Sequence, residues 1–123
     1  MVNLSGSWLG TYWQQGNPTR FEATLIQGGN TLSGNILDDS YLGEAILKGE
    51  VIGRKISFTK LYLTNSQYII YYVGTVSEDE NFMEGKWQIG RSTSGIWEAS
   101  RSNEDLMIEL KNFLSKKFPV SLS

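Results

Sequence analysis

Short apolar runs separated by turn residues recur from residue 6 to residue 101, and this rhythm is what most constrains the fold. Each run is about eight residues long, and Gly, Asn, Asp and Ser interrupt the runs. Regular spacing of this kind is typical of antiparallel β structure, and the short interruptions leave room only for hairpins. We predict eight strands, near residues 6–13, 19–27, 31–38, 44–52, 55–63, 67–76, 82–89 and 95–101.

Glycine also occurs inside the predicted strands, at positions 10, 34, 49, 74 and 85. An interior glycine weakens a strand, and it recurs where a sheet bends sharply or where another backbone approaches closely. Bends repeated in most strands predict a small closed barrel, and closure also removes the unpaired strand edges. The sequence therefore predicts an all-β fold, an eight-stranded antiparallel up-and-down β-barrel.

After Arg101 the pattern changes from strand to helix. Ser102 or Asn103 can cap a helix, and Pro119 ends it. Apolar side chains recur between them at helical spacing: Leu106, Leu110, Phe113 and Leu114. We predict one amphipathic C-terminal helix over 103–118, laid on a barrel over 6–101, and a single domain over 1–123.

Histidine and cysteine are both absent from the chain. Their absence excludes disulfides, thiolate metal sites and histidine-based catalysis, so we expect no metal and no cofactor.

The net charge of -2, with no block of like charge longer than residues 78–80, argues against a nucleic-acid partner. No stretch approaches 18 apolar residues and no signal-peptide pattern opens the chain, so we expect no membrane partner and a cytoplasmic location.

Alternation along the strands assigns their two faces once one residue is fixed. With Trp8 pointing inward, Tyr12 also points inward and Trp13 points outward. Trp97 and Arg101 share the inward face of the last strand. The first strand begins and the last strand ends at the same end of an up-and-down barrel, so Trp8 and Arg101 are predicted to form a structural closed-end pair.

The opposite end collects the polar segments 14–18, 38–43, 64–66 and 90–94, and it is the predicted mouth. Large inward-facing side chains near this end are the candidate ligand-binding residues: Tyr12, Lys60, Tyr62, Tyr68, Trp87 and Trp97. Trp87 and Trp97 lie on adjacent strands and are candidates for one aromatic wall. An eight-stranded barrel either fills with side chains or holds one small ligand, and both alternatives stay open.

Lys60 is predicted to point into the barrel. An unpaired buried ammonium is costly, so Lys60 must reach the mouth, pair with Glu44, Asp38 or Asp39, or bind an anionic group of a ligand. The same three carboxylates flank one mouth loop and are the candidate acid and base groups of an enzyme. No nucleophile elbow, phosphate loop or metal-ligand spacing accompanies them, so we assign no catalytic residues and expect binding rather than catalysis.

The opening "GSW" at 6–8 and the ending "WEASR" at 97–101 resemble the calycin superfamily, the barrels that include lipocalins, fatty-acid-binding proteins and avidins. The resemblance implies packing of Trp8 on Arg101 at the closed end. It also implies a lipocalin-like binding protein for a small apolar or aromatic ligand, anionic if it meets Lys60. "MEGKW" at 83–87 is similar to an avidin strand, but "ISFTKLY" at 56–62 lacks a tryptophan, so a biotin site is not expected.

The predicted strands 55–63 and 67–76 are apolar on both faces. The outward set is Leu61, Leu63, Ile69, Tyr71 and Val73. Such a surface must be covered by the C-terminal helix or by another subunit, so a homodimer through these two strands is expected.

The alternative function is a non-enzymatic protein-protein interaction module with a filled interior. It would act through loops 38–43 and 90–94 or through that outer face. A third hypothesis is a cofactor-free enzyme or isomerase that uses the barrel cavity.

Overall fold

The computed structural model describes residues 2–64 and 69–102, which form eight β-strands. These are β1 (Gly6–Gln14), β2 (Asn17–Gly28), β3 (Thr31–Asp38), β4 (Glu44–Ile52), β5 (Lys55–Tyr62), β6 (Ile69–Val76), β7 (Phe82–Ile89) and β8 (Thr93–Arg101). Each strand pairs antiparallel with the next, and β8 pairs with β1 to close the barrel. The eight-stranded antiparallel up-and-down barrel predicted from the sequence is confirmed.

The predicted strand bounds differ from the observed ones by at most two residues. The predicted helix over 103–118 and the candidate residue Tyr68 lie outside the described residues. Within residues 2–64 and 69–102 there is no helix with the length and apolar character needed to cross a membrane.

The predicted assignment of strand faces agrees with the burial of the side chains. Trp8 is fully buried, whereas its neighbour Leu9 is 48 % exposed. Cross-strand pairing continues the inward face around the barrel, because Trp8 lies opposite both Ala23 on β2 and Arg101 on β8. Every strand contributes inward apolar side chains to this single core, among them Phe21, Leu32, Leu47, Phe58, Tyr72, Met83 and Trp97.

One end of the barrel is closed by Trp8 and Arg101. The indole Nε1 of Trp8 donates to the Leu4 carbonyl at 2.9 Å, and the Arg101 guanidinium carbon lies 4.7 Å from the indole centroid. The guanidinium also donates, at 2.8 to 3.0 Å, to the carbonyls of Asn3, Ser5 and Glu80. This closed-end pair therefore ties the N-terminal segment and the β6–β7 turn to the end of β8.

Two facing glycines lie where neighbouring strands leave no space for a side chain. Gly74 on β6 lies directly opposite Gly85 on β7. A Cβ atom on Gly85 would lie 1.8 Å from the Val73 carbonyl oxygen and 2.5 Å from the Gly74 Cα. The space that a Gly74 side chain would take is occupied instead by the indole of Trp97, 2.8 Å from the ideal Cβ position. The strand glycines thus make room for aromatic rings.

Candidate functional site

A buried ion pair joins Asp38, the last residue of β3, to Lys60 on β5. The Lys60 Nζ lies 2.7 Å from Asp38 Oδ1 and 2.8 Å from Oδ2. Lys60 is 1 % exposed and Asp38 is 4 % exposed, so neither charge reaches solvent. Of the partners considered for Lys60 from the sequence, the structure shows Asp38.

Three tyrosines complete the group around this ion pair, which we call the Asp38 cluster: Tyr12, Asp38, Lys60, Tyr62 and Tyr72. The Tyr62 hydroxyl donates a short hydrogen bond to Asp38 Oδ2, and the Tyr12 hydroxyl donates to the same oxygen at 3.1 Å. The Lys60 ammonium lies 4.8 Å from the ring centroid of Tyr12, 4.7 Å from Tyr62 and 5.9 Å from Tyr72. In the described part of the chain, no buried side-chain nitrogen or oxygen lacks a hydrogen-bond partner.

Backbone hydrogen bonds hold Asp38 at the mouth end of the barrel. The Asp38 amide donates to the Gly43 carbonyl at 2.9 Å, which closes the loop between β3 and β4. The next amide, of Asp39, donates to the Arg20 carbonyl on β2 at 2.8 Å. The carboxylate therefore enters the barrel from a fixed backbone, next to the loop between β3 and β4.

Burial shifts the pKa values of the titratable groups around Asp38. Burial is the main cause of the raised pKa of Tyr62, Tyr72 and Tyr12, and the Asp38 charge adds to it. Burial also lowers the pKa of Lys60, while Asp38 opposes that shift. The three hydroxyls consequently stay protonated at neutral pH, and those of Tyr12 and Tyr62 donate to Asp38.

The structure places Trp87 and Trp97 in different ring groups rather than in one wall. Trp87 packs edge-on against Tyr12, with centroids 6.3 Å apart, and its Nε1 donates to the Trp13 carbonyl at 3.1 Å. Trp97 packs edge-on against Phe58 and Tyr72, each at 5.7 Å. Trp87 therefore belongs with Tyr12, whereas Trp97 belongs to the packed interior.

The space inside the apolar part of the barrel is almost completely filled. A cavity of about 20 Å³ remains among side chains that include Trp8, Phe21, Phe58, Lys60 and Trp97. This volume is enough for a single water molecule. A small organic ligand consequently has no room among these side chains.

The sequence placed Tyr12, Lys60 and Tyr62 of the Asp38 cluster on the inward face, but Asp38 was assigned to a mouth loop. The signal was present in the alternation of β3, because Leu32, Ile36 and Asp38 share one parity and all three are buried. Residues 2–64 and 69–102 hold no group of three carboxylates placed to bind a metal ion.

The sequence matches no known family model and no curated protein. Among solved structures, the chain is similar to a redesigned β-barrel, with 12 % identity and a TM-score of 0.67 over 81 % of this chain and 92 % of that one. It is also similar to the redesigned β-barrel mFAP1 bound to DFHBI, with 10 % identity and a TM-score of 0.64 over 80 % of this chain and 94 % of that one.

A third similar structure is a de novo designed fluorescence-activating β-barrel, with 13 % identity and a TM-score of 0.61 over 80 % of this chain and 93 % of that one. At these identities the similarity concerns the fold alone. The chain therefore shares the closed barrel architecture of designed barrels, some of which bind a small dye.

Proposed function

We propose that this protein binds a small, neutral aromatic molecule at the open end of its barrel, with the Asp38 cluster as polar anchor. The proposal rests on the buried ion pair of Asp38 and Lys60 in an otherwise apolar interior. A buried ion pair seldom stabilises a fold more than apolar residues of similar volume would. Packing by itself therefore does not account for the pair, whereas recognition of a polar group does.

The hydrogen bonds of the cluster favour a neutral ligand. The two charges cancel, and the Lys60 ammonium already faces both Asp38 oxygens and the tyrosine rings. An anionic group would have to compete with Asp38 for Lys60. A ligand hydroxyl, by contrast, can donate to Asp38 Oδ2 in place of Tyr12, which is the partly exposed member of the cluster. We therefore propose a neutral ligand instead of the anionic one considered from the sequence.

The candidate residues divide into contact and support roles under this proposal. Tyr12 and Trp87 form the walls at the mouth, and Tyr68 remains a predicted wall residue. Lys60 and Tyr62 hold the Asp38 carboxylate in position. Trp97 supports the cluster from the packed interior. The resemblance to calycin barrels and the binding of DFHBI by the similar barrel mFAP1 agree with a small-molecule ligand.

Three naphthalene probes of one size test the chemistry of the site. We expect 2-naphthol to bind about tenfold or more tighter than naphthalene, because a hydrogen bond to a charged group contributes about 1.5–3 kcal/mol. We expect 2-naphthoate to bind more weakly than 2-naphthol, since Asp38 already neutralises Lys60. Isothermal titration of the full-length protein measures all three affinities.

A variant without the polar cluster provides the matched control. The triple substitution Asp38→Leu, Lys60→Met and Tyr62→Phe keeps the volume of the site and removes its buried charges. This variant should stay folded and lose the preference for 2-naphthol over naphthalene. Absence of binding by all three probes, or tightest binding of 2-naphthoate, contradicts the proposal.

The filled interior favours a second candidate function, an interaction module that acts through its outer surface. The outer face of β5 and β6 carries exposed apolar side chains: Leu63 at 56 %, Ile69 at 45 %, Tyr71 at 55 % and Val73 at 54 %. A homodimer through residues 55–63 and 67–76 would cover them. Sedimentation equilibrium of the natural chain and of a Tyr71→Glu variant tests it, since a dimer should dissociate in the variant, whereas a monomeric natural chain refutes it.

A further inference from the structure

An apolar groove crosses the outer surface of the barrel from β4 to β8. Its volume is about 820 Å³, and its lining includes Ile52, Val73, Ile96 and Trp13. Ile52 is 61 % exposed, Val73 is 54 % exposed and Ile96 is 56 % exposed. We call this feature the outer groove. Apolar side chains at this exposure, gathered along one groove, are typical of an interaction surface.

Three apolar residues of the outer groove, Val73, Ile96 and Trp13, form a row perpendicular to the strands. Val73 lies opposite Lys86, and Lys86 lies opposite Ile96. On β1, Tyr12 lies opposite Trp97 of β8. The next residue of β1, Trp13, therefore lies beside Ile96 and continues the row. Three strand spacings separate Val73 from Trp13, a distance of about 14 Å across the sheet.

We propose that the C-terminal segment of the same chain, residues 103–118, covers the outer groove through Leu106, Leu110 and Phe113. The stripe of apolar side chains in this segment runs from residue 106 to residue 114. At helical rise the stripe is about 12 Å long, which matches the row of Val73, Ile96 and Trp13.

The place where the described chain ends supports this occupant. The Ser102 amide donates to the Ser7 carbonyl at 2.8 Å, which fixes the point where the segment leaves β8. Glu98, four residues earlier on the same strand, lines the outer groove. The segment therefore starts about 13 Å from the near edge of the groove and about 20 Å from Ile96, so residues 103–105 in extended conformation bring Leu106 to that edge.

The charges of the groove also fit the segment. Glu84 on β7 and Glu98 on β8 are directly opposite each other, and both line the groove. Like charges in directly opposite positions destabilise a sheet. Lys116 and Lys117 near the end of the segment carry the opposite charge. The lining also holds Glu50, Lys55 and Lys86, so its three carboxylates exceed its two ammonium groups by one. A segment with these two lysines near its end fits this net negative lining.

Disulfide trapping in the full-length chain tests the proposal directly, because the natural sequence has no cysteine. The informative pairs are V73C with L110C and I96C with L110C. The matched control is I26C with L110C, since Ile26 is 65 % exposed and lies on β2, outside the groove. We expect mild oxidation to close intramolecular disulfides in the first two variants and not in the control, as measured by intact mass and non-reducing electrophoresis.

Two other results overturn the proposal. Equal trapping of the Ile26 control shows that the segment does not select the groove. Crosslinked dimers through position 73 in place of intramolecular bonds show that a second copy covers the groove.

Tryptophan fluorescence provides a second readout that needs no crosslink. Trp8, Trp87 and Trp97 are at most 3 % exposed, so collisional quenching by acrylamide reports mainly on Trp13, which lines the outer groove. Leu110→Asp with Phe113→Asp should increase the quenching constant at least about twofold. Lys111→Asp with Asn112→Asp should leave it unchanged. Equal quenching in both variants contradicts coverage of the groove by this segment.

Discussion

The Asp38 carboxylate and the Lys60 ammonium meet inside the barrel at 2.7 and 2.8 Å, with neither charge open to solvent. The two residues are 22 positions apart on β3 and β5, with β4 between them. They meet because both side chains point inward near the open end and extend toward each other past β4. This ion pair is the main departure from an apolar core and the origin of the proposed site.

Removal of one partner of this pair should be far more damaging than removal of both charges together with the Tyr62 hydroxyl. Asp38→Asn leaves a buried ammonium without a counter-charge and should lower the free energy of unfolding by about 3–5 kcal/mol. The triple variant Asp38→Leu, Lys60→Met and Tyr62→Phe should be at least as stable as the natural chain. Urea denaturation followed by circular dichroism measures both. Asp39→Asn, at an exposed neighbouring carboxylate, is the control, and an equal loss in that variant would refute the prediction.

The buried tyrosines should make the fold sensitive to alkali. The pKa values of Tyr12, Tyr62 and Tyr72 are raised in the folded protein, mainly by burial, from an ordinary value of 10.0. Above that pH the unfolded chain loses phenolic protons that the folded chain keeps, so the free energy of unfolding falls as the pH rises. Lys60 opposes this trend, because its lowered pKa relieves a burial cost as the pH approaches 10.5.

The three tyrosine hydroxyls with raised pKa values outweigh the one lysine with a lowered pKa, so a net loss of stability is expected above pH 10. Absorbance at 295 nm should show phenolate from these three residues only together with loss of the circular dichroism signal. Tyr62→Phe should remove a share of that late absorbance step. Ionisation of all the tyrosines while the barrel stays folded is the contrary outcome.

The pair of facing glycines on β6 and β7 should not tolerate a methyl group. In Gly85→Ala the new Cβ would meet the Val73 carbonyl oxygen at 1.8 Å, a backbone atom that cannot rotate away. We expect the free energy of unfolding to fall by about 1–3 kcal/mol or more, as for other overpacked sites. Gly28→Ala is the control, since no atom lies within 4 Å of its added Cβ. Thermal denaturation of both variants compares them, and equal melting temperatures would contradict the prediction.

The closed end should require arginine rather than any cation. Arg101→Lys keeps the charge but loses the planar fork that stacks on Trp8 and donates to three backbone carbonyls. A loss of about 1–3 kcal/mol in the free energy of unfolding is expected. Arg54→Lys, in the exposed turn between β4 and β5 at the same end, should change stability by less than about 0.5 kcal/mol. Similar effects of the two substitutions in urea denaturation would count against the stacked role of Arg101.

Much of the fold could be predicted because neighbouring strands and alternating side chains are local properties of the chain. The alternation of side chains between the two faces of each strand assigned Trp8, Tyr12 and Lys60 to the interior. The short turns left only hairpin connections. The interior glycines predicted sharp bends or close backbone approach, and with them the closed barrel. In the structure they also make room for rings, because the Trp97 indole reaches from β8 past Gly85 on β7 to the space above Gly74 on β6.

The sequence by itself determined the strand order, the inward face and the need for Lys60 to find a partner, since these follow from alternation, hairpin length and the cost of burying a charge. Only the tertiary structure decided which carboxylate meets Lys60 and how much space remains around it. That choice depends on barrel closure, which brings Asp38, Tyr12 and Tyr62 from three strands to one point. Alternation tells which way each side chain points, but the tilt and curvature of the closed sheet set the distances between them.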